Sequence, residues 1–266
     1  MNQTANPSRM HFIAQGKGPP VILIHGMAAS SAGWFKLMPA LISAGYRVYA
    51  LDLLGHGDSY KPSHPDHYHL KEIYQALEDW FTSQAIQEPI YMVGHSLGGY
   101  LCLEYHLKHP DIVRAMALID PLYSPNQLLP GINFLTRFPQ LGVKALRDYY
   151  PKMVPALSMV DAPLSGNFSP DVRRQMLIDL RRAAPEILHI LSSVPDLTGS
   201  LSQVQVTSLI VYGSRDVSLR PSSFPRMANL MQAASLVKIT GVGHQPHLAR
   251  PELVNRFILD FFDRNR

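Results

Sequence analysis

The decisive stretch of this sequence is Gly94-His95-Ser96-Leu97-Gly98, which places a serine between small residues two positions away on either side. The apolar residues 89–93 before it are typical of a short buried strand, and residues 99–108 after it have the pattern of a helix. A serine at a sharp strand-to-helix turn has strained backbone geometry, and only small neighbours let the two arms approach. We therefore expect the Ser96 hydroxyl to project above a strand end, beside the first free N–H groups of a helix.

Short apolar runs alternate with longer helical stretches over most of the chain. Most of these runs are apolar throughout, as in strands that are buried on both faces. The alternation predicts an α/β fold with a mostly parallel sheet of about seven to eight strands and helices on both faces. The predicted strands are residues 21–24, 47–51, 90–93, 115–119, 208–212 and 236–239, with 10–14 as an outer strand. The predicted helices are residues 34–44, 70–86, 97–109, 224–231 and 251–262.

One region breaks this alternation. From residue 121 to about 204 no apolar run resembles a central strand, and ten of the 22 prolines lie there. Residues 171–193 carry a helical apolar stripe, which Pro185 is expected to kink or divide. We predict three parts: residues 1–120 and 205–266 as the two halves of the core, and 121–204 as a helical cap or lid. The alternative is that residues 121–204 simply add helices to the core.

A serine hydroxyl needs a base to take its proton, usually a histidine that a carboxylate holds in place. The chain has 12 histidines, so position has to select among them. His244 lies in a glycine-rich loop after the last predicted strand, and Asp216 directly follows the strand before it. The order Ser96, Asp216, His244, each at a strand end, is expected of a nucleophile-elbow hydrolase. Asp120, which follows another predicted strand, is an alternative acid partner.

The oxyanion formed in such a reaction needs two hydrogen-bond donors. Leu97 begins the helix after the serine, and Met27 follows Gly26 in the turn after the strand at residues 21–24. We assign the two donors to the backbone N–H groups of Met27 and Leu97. Losing one such donor typically costs about 3–4 kcal/mol of transition-state stabilisation.

Together these motifs resemble the α/β-hydrolase fold superfamily, in the branch with a lid inserted before the acid-bearing strand. The resemblance covers roughly residues 21–262, and only the lid is unmatched in detail. The matching motifs are His25-Gly26 for the oxyanion hole, residues 52–59 for the loop after the fourth strand of that fold, 94–98 for the elbow, 212–216 for the acid turn and Gly243-His244 for the base loop.

The resemblance implies a serine hydrolase that works through an acyl-enzyme without a metal or other cofactor. We expect a carboxylic ester hydrolase with Ser96, Asp216 and His244 as its catalytic residues. A carbon–carbon bond hydrolase or a lactonase with the same triad is an alternative within enzymes, and a low-turnover ligand receptor is an alternative outside them. Epoxide hydrolases and haloalkane dehalogenases resemble this fold but have an aspartate at the position of Ser96. The serine therefore disfavours those two activities.

The remaining polar residues of the motifs have structural interpretations. We expect His25 and His95 to form hydrogen bonds within their own turns, and His247 to stabilise the base loop or the pocket rim. Asp52 and His56 are expected to hold their loop together. The residues that superficially suggest a metal site, without a matching distant motif, are His64, Asp66, His67 and His69, and we expect a solvated loop there.

Composition limits the partners and the compartment. A chain of 266 residues with 46% hydrophobic and 17% charged residues is typical of an ordinary globular protein. Its net charge of +4 is spread out, which disfavours a nucleic-acid partner. No apolar run reaches the about 18 residues of a membrane span, and residues 1–9 lack the apolar core of a signal peptide. Cys102 is the single cysteine and suits a reducing compartment. We therefore expect a cytoplasmic enzyme without stable membrane insertion, and leave a homodimer open.

Apolar side chains of the predicted lid indicate the kind of substrate. They favour small apolar ester-type substrates, with short-to-medium acyl or aromatic groups, over highly charged ones. The residues concerned are Leu128, Leu129, Ile132, Phe134, Leu135, Phe138, Met153, Met159 and Met176.

Overall fold

Seven strands form one sheet within residues 10–148 and 168–266, which the computed structural model describes. The spatial order is β1-β3-β2-β4-β5-β6-β7, in which β1 is antiparallel to β3 and every other neighbouring pair is parallel. This confirms the predicted mostly parallel sheet. The strands are β1 (Phe12–Gln15), β2 (Pro20–Ile24), β3 (Arg47–Leu51), β4 (Ile90–His95), β5 (Val113–Ile119), β6 (Ser208–Gly213) and β7 (Ala234–Ile239).

Helices cover both faces of the sheet, as predicted. Helices α2, α3 and α8 contribute to the core on one face, and α1 and α10 to the core on the other. None of the helices within the described residues is long and apolar enough to cross a bilayer. The helices are α1 (Met38–Ser43), α2 (Leu70–Gln84), α3 (Leu97–Lys108), α4 (Pro130–Arg137), α5 (Pro139–Asp148), α6 (Pro170–Arg182), α7 (Leu188–Ser192), α8 (Ser223–Leu230), α9 (Pro246–Ala249) and α10 (Pro251–Asp263).

Strand β2 shows why the sequence has continuous apolar runs. All five of its residues are buried. Val21 and Leu23 pack into one core, whereas Ile22 and Ile24 pack into the core on the opposite face. Because successive side chains of a strand point to opposite faces, a strand covered on both sides needs apolar residues at every position.

Most predicted elements differ from the structure by one or two residues at an end, and two of the differences have a physical cause. The outer strand begins at Phe12 rather than at residue 10, because Phe12 pairs with Leu51, the last residue of β3. The predicted helix at residues 34–44 divides into a 3-10 turn (Ser31–Trp34) and the shorter α1. A proline in the first turn of α1 explains where that helix begins, since proline is favoured at this position.

The described residues between β5 and β6 form helices, 3-10 turns and loops, without a strand of the sheet, and Leu128 makes one isolated bridge to Leu219, which lies beyond β6. The apolar stripe divides near Pro185 as predicted, because α6 ends at Arg182 and a 3-10 turn (Pro185–Ile187) precedes α7. A buried hydrogen bond of 2.6 Å from Ser30 Oγ to Asp179 Oδ1 joins α6 to the turn after β2. The division into 1–120, 121–204 and 205–266 stays a prediction, and residues 1–9, Met153 and Met159 lie outside the described residues.

Gly98 lets the first turn of α3 lie directly against the end of β2. A Cβ atom on Gly98 would overlap the carbonyl group of Ile24 and lie 2.8 Å from the carbonyl oxygen of His25. A Cβ atom on Gly94 would lie 2.6 Å from the carbonyl carbon of Gly98. The small residues on either side of Ser96 are therefore a requirement of packing, as the sequence indicated.

Replacing Gly98 by alanine should destabilise the fold, because the added methyl group meets backbone that cannot move aside. Overpacking of this kind typically costs about 1–3 kcal/mol of unfolding free energy. Gly131→Ala is the matched control, since a Cβ atom there meets nothing within 4 Å. Urea unfolding midpoints measure both variants. A Gly98→Ala variant as stable as the Gly131→Ala variant would contradict the packing argument.

Candidate active site

Ser96 lies between the last residue of β4 and the first residue of α3, with φ 51° and ψ −113°. A positive φ is unfavourable for a side chain other than glycine and persists only where the surroundings enforce it. Here the Ser96 N–H donates to the Ile119 carbonyl at 3.0 Å, and the Ser96 carbonyl accepts from the N–H of Tyr100 at 3.2 Å and of Leu122 at 3.1 Å. Ser96 itself is half-buried, so its hydroxyl lies at the surface of the core.

Backbone strain is concentrated around this serine. Within the described residues, four residues other than glycine have a positive φ, and three of them follow the carboxyl ends of neighbouring strands. Ala28 follows β2, Ser96 follows β4 and Asp120 follows β5. Strained residues cluster where a structure has to hold functional groups in place.

The three predicted catalytic side chains meet above the ends of β4, β6 and β7. His244 Nε2 lies 2.9 Å from Ser96 Oγ, and His244 Nδ1 lies 2.7 Å from Asp216 Oδ2. With the proton on Nδ1, the imidazole donates to the carboxylate and accepts the serine proton. This is the arrangement that a general base requires.

Backbone groups hold Asp216 in its orientation. Its Oδ1 atom accepts hydrogen bonds from the N–H of Ser218 at 2.7 Å and of Leu219 at 2.9 Å. The Asp216 side chain is fully buried, while the His244 side chain is 17% exposed. The other oxygen, Oδ2, is left to face the imidazole. The turn after β6 therefore orients the acid, and the imidazole keeps a face toward solvent.

The turn that contains Met27 and the start of α3 at Leu97 both lie beside Ser96. Leu97 is its neighbour in the chain and the first residue of α3. On the other side, a Cβ atom on Gly26 would lie 3.1 Å from Ser96 Cβ and 2.7 Å from His95 Nδ1. Met27 directly follows this close contact. Their assignment as the two N–H donors stays a prediction.

His25 and His95 have structural partners, but His95 differs from the prediction. His25 Nδ1 donates to the Gly26 carbonyl at 2.7 Å, within its own turn, and Nε2 accepts from the Leu53 N–H at 3.0 Å. His95 Nε2 instead donates to the carbonyl of His244 at 2.8 Å, in a loop 149 residues away. The prediction of a bond within its own turn was therefore wrong. Nothing in the sequence around His95 indicates so distant a partner.

Asp52 fastens the loop after β3, as predicted. Its Oδ1 atom accepts from the Ser31 N–H at 2.6 Å, and Oδ2 accepts from the Asp58 N–H at 2.8 Å and lies 2.9 Å from His11 Nδ1. Oxygen or nitrogen atoms of His11, Asp52 and Asp58 lie within 4.8 Å of one another, which is close enough for a metal ion. Both Asp52 oxygens are already engaged in hydrogen bonds. We therefore assign this cluster to the loop's own structure.

The other histidines that the sequence singled out divide between surface and interior. Asp66 lies in a 3-10 turn (Pro65–Tyr68) that His64 caps, and both side chains are exposed, with His64 Nδ1 3.3 Å from Asp66 Oδ2. His247 is buried, with its ring centroid 5.1 Å from that of Trp34 and 4.7 Å from that of His95. His247 therefore packs below the base loop rather than lining an open rim.

The buried imidazoles around the site stay uncharged at neutral pH. Burial, followed by the neighbouring His247 and His244, lowers the pKa of His95 well below its ordinary value. Burial lowers the pKa of His247 to about 3, and His244 adds to that effect. Neutral neighbours leave the negative charge of Asp216 to act on His244 without competition from a second cation.

Asp120 is the residue whose position the sequence did not settle. It is fully buried, and its Oδ1 atom accepts from the Gly213 N–H at 2.9 Å. One oxygen of Asp120, one oxygen of Asp216 and one ring nitrogen of His244 lie within 4.8 Å of one another. The structure thus brings both candidate acids to the site, and His244 forms its hydrogen bond with Asp216, the acid preferred from the sequence.

Comparison with known proteins first gives matches that cover about half of this chain. A family model described as the alpha/beta hydrolase fold matches residues 19–141. The bifunctional epoxide hydrolase 2 of Rattus norvegicus is 32% identical over 145 residues, 51% of this chain and 26% of that protein. The chain thus spans about a quarter of the length of the first curated relatives that it matches.

Two further proteins align over nearly their whole length. The pimeloyl-[acyl-carrier protein] methyl ester esterase of Aeromonas hydrophila is 25% identical over 260 residues, 91% of this chain and 96% of that protein. The solved structure of a thermophilic esterase from Thermogutta terrifontis superposes with a TM-score of 0.81 at 21% identity, covering 96% of this chain and 93% of the other. At 21% identity, the similarity to the thermophilic esterase concerns the fold alone.

Lowering the pH should weaken the fold through its buried histidines. Burial lowers the pKa of His56 from 6.5 to about 3. Below pH 6.5 the unfolded chain therefore takes up a proton that the folded protein does not, and stability is lost as the pH falls toward 3. Each such group lowers the unfolding free energy by up to about 1.4 kcal/mol per pH unit.

Urea midpoints at about pH 7 and about pH 5 measure this loss. His56→Asn should make the change in stability between the two pH values smaller, whereas His64→Asn, at an exposed histidine, should not. If the His56→Asn and His64→Asn variants lose the same stability between these pH values, His56 is not a source of the effect.

Proposed function

We propose that this chain, a member of the α/β-hydrolase fold superfamily, is a serine hydrolase that cleaves carboxylic esters through an acyl-enzyme. One observation carries the proposal: an unbroken chain of hydrogen bonds runs from Asp216 through His244 to Ser96, at 2.7 and 2.9 Å. A serine hydroxyl is a weak nucleophile at neutral pH, and such a chain is the usual means of activating it.

In the first half of the reaction, Ser96 Oγ attacks the carbonyl carbon of the ester. The hydroxyl proton moves to His244 Nε2, and Asp216 stabilises the imidazolium that forms. The N–H groups of Met27 and Leu97 bind the oxyanion of the tetrahedral intermediate. When this intermediate collapses, His244 gives the proton to the leaving oxygen. An alcohol departs, and the acyl group remains on Ser96.

Water repeats these steps in the second half. His244 takes a proton from the water molecule as its oxygen attacks the acyl carbon. The same two N–H groups bind the second oxyanion. Collapse of this intermediate returns the proton to Ser96 Oγ and releases the carboxylic acid, so the protein ends in its starting state.

Apolar residues between β5 and β6 support a substrate with a short-to-medium acyl or an aromatic group. Leu128 is buried in the main core, and Met176 packs with a small cluster that includes Leu248. Phe134 and Phe138 are instead exposed, with ring centroids 5.1 Å apart. The relative from Aeromonas hydrophila, which aligns over most of both chains, is named as a methyl ester esterase. Epoxide opening is not part of the proposal, because epoxide hydrolases that resemble this fold have an aspartate at the position of Ser96.

Replacing Ser96 by alanine should lower kcat for p-nitrophenyl esters by about 1000-fold or more, because the nucleophile is lost. The variant should fold normally and lose the covalent adduct that the wild type forms with a fluorophosphonate probe, as measured by intact mass. Ser235→Ala is the matched control, since this serine lies on β7 away from the site. Undiminished ester hydrolysis by Ser96→Ala would refute the assignment.

A substrate panel should separate this proposal from its alternatives. We expect kcat/KM to be highest for p-nitrophenyl or aryl esters of short-to-medium chain length, and lower for lactones and vinylogous diketones. A higher kcat/KM for vinylogous diketones would indicate a carbon–carbon bond hydrolase, and one for lactones a lactonase. Ligand binding without a fluorophosphonate adduct would indicate a receptor.

A further inference from the structure

We propose that Asp120 and Asp216 share one negative charge, with Asp120 protonated and donating a hydrogen bond to Asp216, and that Asp120 carries the charge when Asp216 is neutralised. Asp120 would then be a positioning residue that acts on His244 through the acid. This inference rests on the proposed function only in the tests that measure enzyme activity. The observations that carry it are the placement, the partners and the burial of the two carboxyl groups.

Pairing of β5 with β6 brings the two aspartates together. Ile119 pairs with Val211, so Asp120 at the end of β5 lies beside the turn that leads to Asp216. The Asp120 N–H donates to the Val211 carbonyl at 2.8 Å, and its Oδ1 accepts from the Gly213 N–H at 2.9 Å. Oxygens of the two carboxyl groups and a ring nitrogen of His244 consequently lie within 4.8 Å of one another.

The two carboxyl groups differ in their hydrogen-bond partners. Asp216 faces three donors: the Ser218 and Leu219 N–H groups and the His244 ring. Asp120 receives one donor at Oδ1, while its buried Oδ2 has no hydrogen-bond partner within the described residues. An ionised carboxylate is favoured where donors surround it. The negative charge therefore resides on Asp216.

A proton on Asp120 resolves the unsatisfied oxygen. Two carboxylates buried side by side cannot both ionise at neutral pH, as in other sites where a carboxyl pair holds one proton. Burial and the charge of Asp216 raise the pKa of Asp120 well above its ordinary value, and the protonated group can donate to Asp216. That bond would be a further contact holding Asp216 toward His244.

Neutralising Asp216 should reverse the roles. In Asp216→Asn the charge that opposes ionisation of Asp120 is gone, and the new amide can donate to Asp120. Asp120 can then lose its proton while it lies within 4.8 Å of the imidazole nitrogen. The residual activity of Asp216→Asn should therefore depend on Asp120.

A double-mutant cycle tests this dependence. Adding Asp120→Asn to Asp216→Asn should lower kcat by about tenfold more than Asp120→Asn does in the wild-type background. Asp120→Ala, which keeps no donor for Asp216, should lower kcat more than Asp120→Asn. Equal factors in both backgrounds would overturn the shared charge. So would an Asp120→Asn variant that is as impaired as Asp216→Asn, since Asp120 would then be ionised in the wild type.

Infrared spectroscopy tests the protonation without any substrate. The carbonyl stretch of a protonated, buried carboxyl group should be present in the wild type and absent in Asp120→Asn. Asp179→Asn is the matched control, because Asp179 is a second buried aspartate whose pKa burial raises, and removing it should leave the Asp120 band in place. A wild-type spectrum identical to that of Asp120→Asn would refute the proposal.

Two further measurements keep the outcomes separate. The carbonyl band of protonated Asp120 should also disappear in Asp216→Asn. This variant tests the transfer of charge even if the Asp120 variants do not fold. A band that persists in Asp216→Asn would overturn that transfer. Undiminished activity of Ser96→Ala would refute the serine mechanism, while the infrared result would still decide whether Asp120 is protonated.

Discussion

Everything at this site depends on a backbone that is held at a positive φ at Ser96. The conformation is costly for serine, by an amount on the order of 1–3 kcal/mol. It persists because both backbone groups of Ser96 are hydrogen-bonded at the end of β5. The Ser96 N–H donates to the Ile119 carbonyl, and the Ser96 carbonyl accepts from the Leu122 N–H. The close approach of Gly98 to Ile24 fixes the helix on the other side. The strain of one residue is thus balanced by the pairing of the central strands.

The parallel sheet supplies the second constraint. Because strands β2 to β7 run in one direction, their carboxyl ends lie at one edge, and residues that follow β2, β4, β5, β6 and β7 are collected there. For this reason Ser96, Asp216 and His244 could be selected from the sequence before any distance was known. Continuous apolar runs indicated the strands, and each candidate followed one of them.

Contacts between residues that are distant in the chain but meet at the sheet edge could not be predicted from the sequence. The bond from His95 to the His244 carbonyl spans 149 residues, and no local pattern marks either partner. Asp120 was recognised as an acid at a strand end, but its distance from Asp216 depends on the register of β5 against β6, which periodicity does not fix. The short α1 likewise reflects a proline in its first turn. The late start of β1 reflects the end of its partner strand, β3.

The hydrogen bond between Ser30 and Asp179 links two parts of the chain that sequence patterns treat separately. Ser30 lies in the turn that begins at Gly26 and contains Met27, and Asp179 belongs to α6, in the segment between β5 and β6. A displacement of α6 would therefore pull on the turn beside Ser96. Under the proposed function, substitutions that shift this helix would consequently change the turnover number as well as the apparent affinity, so selection for a new substrate through that segment would be constrained by the rate of the chemical step.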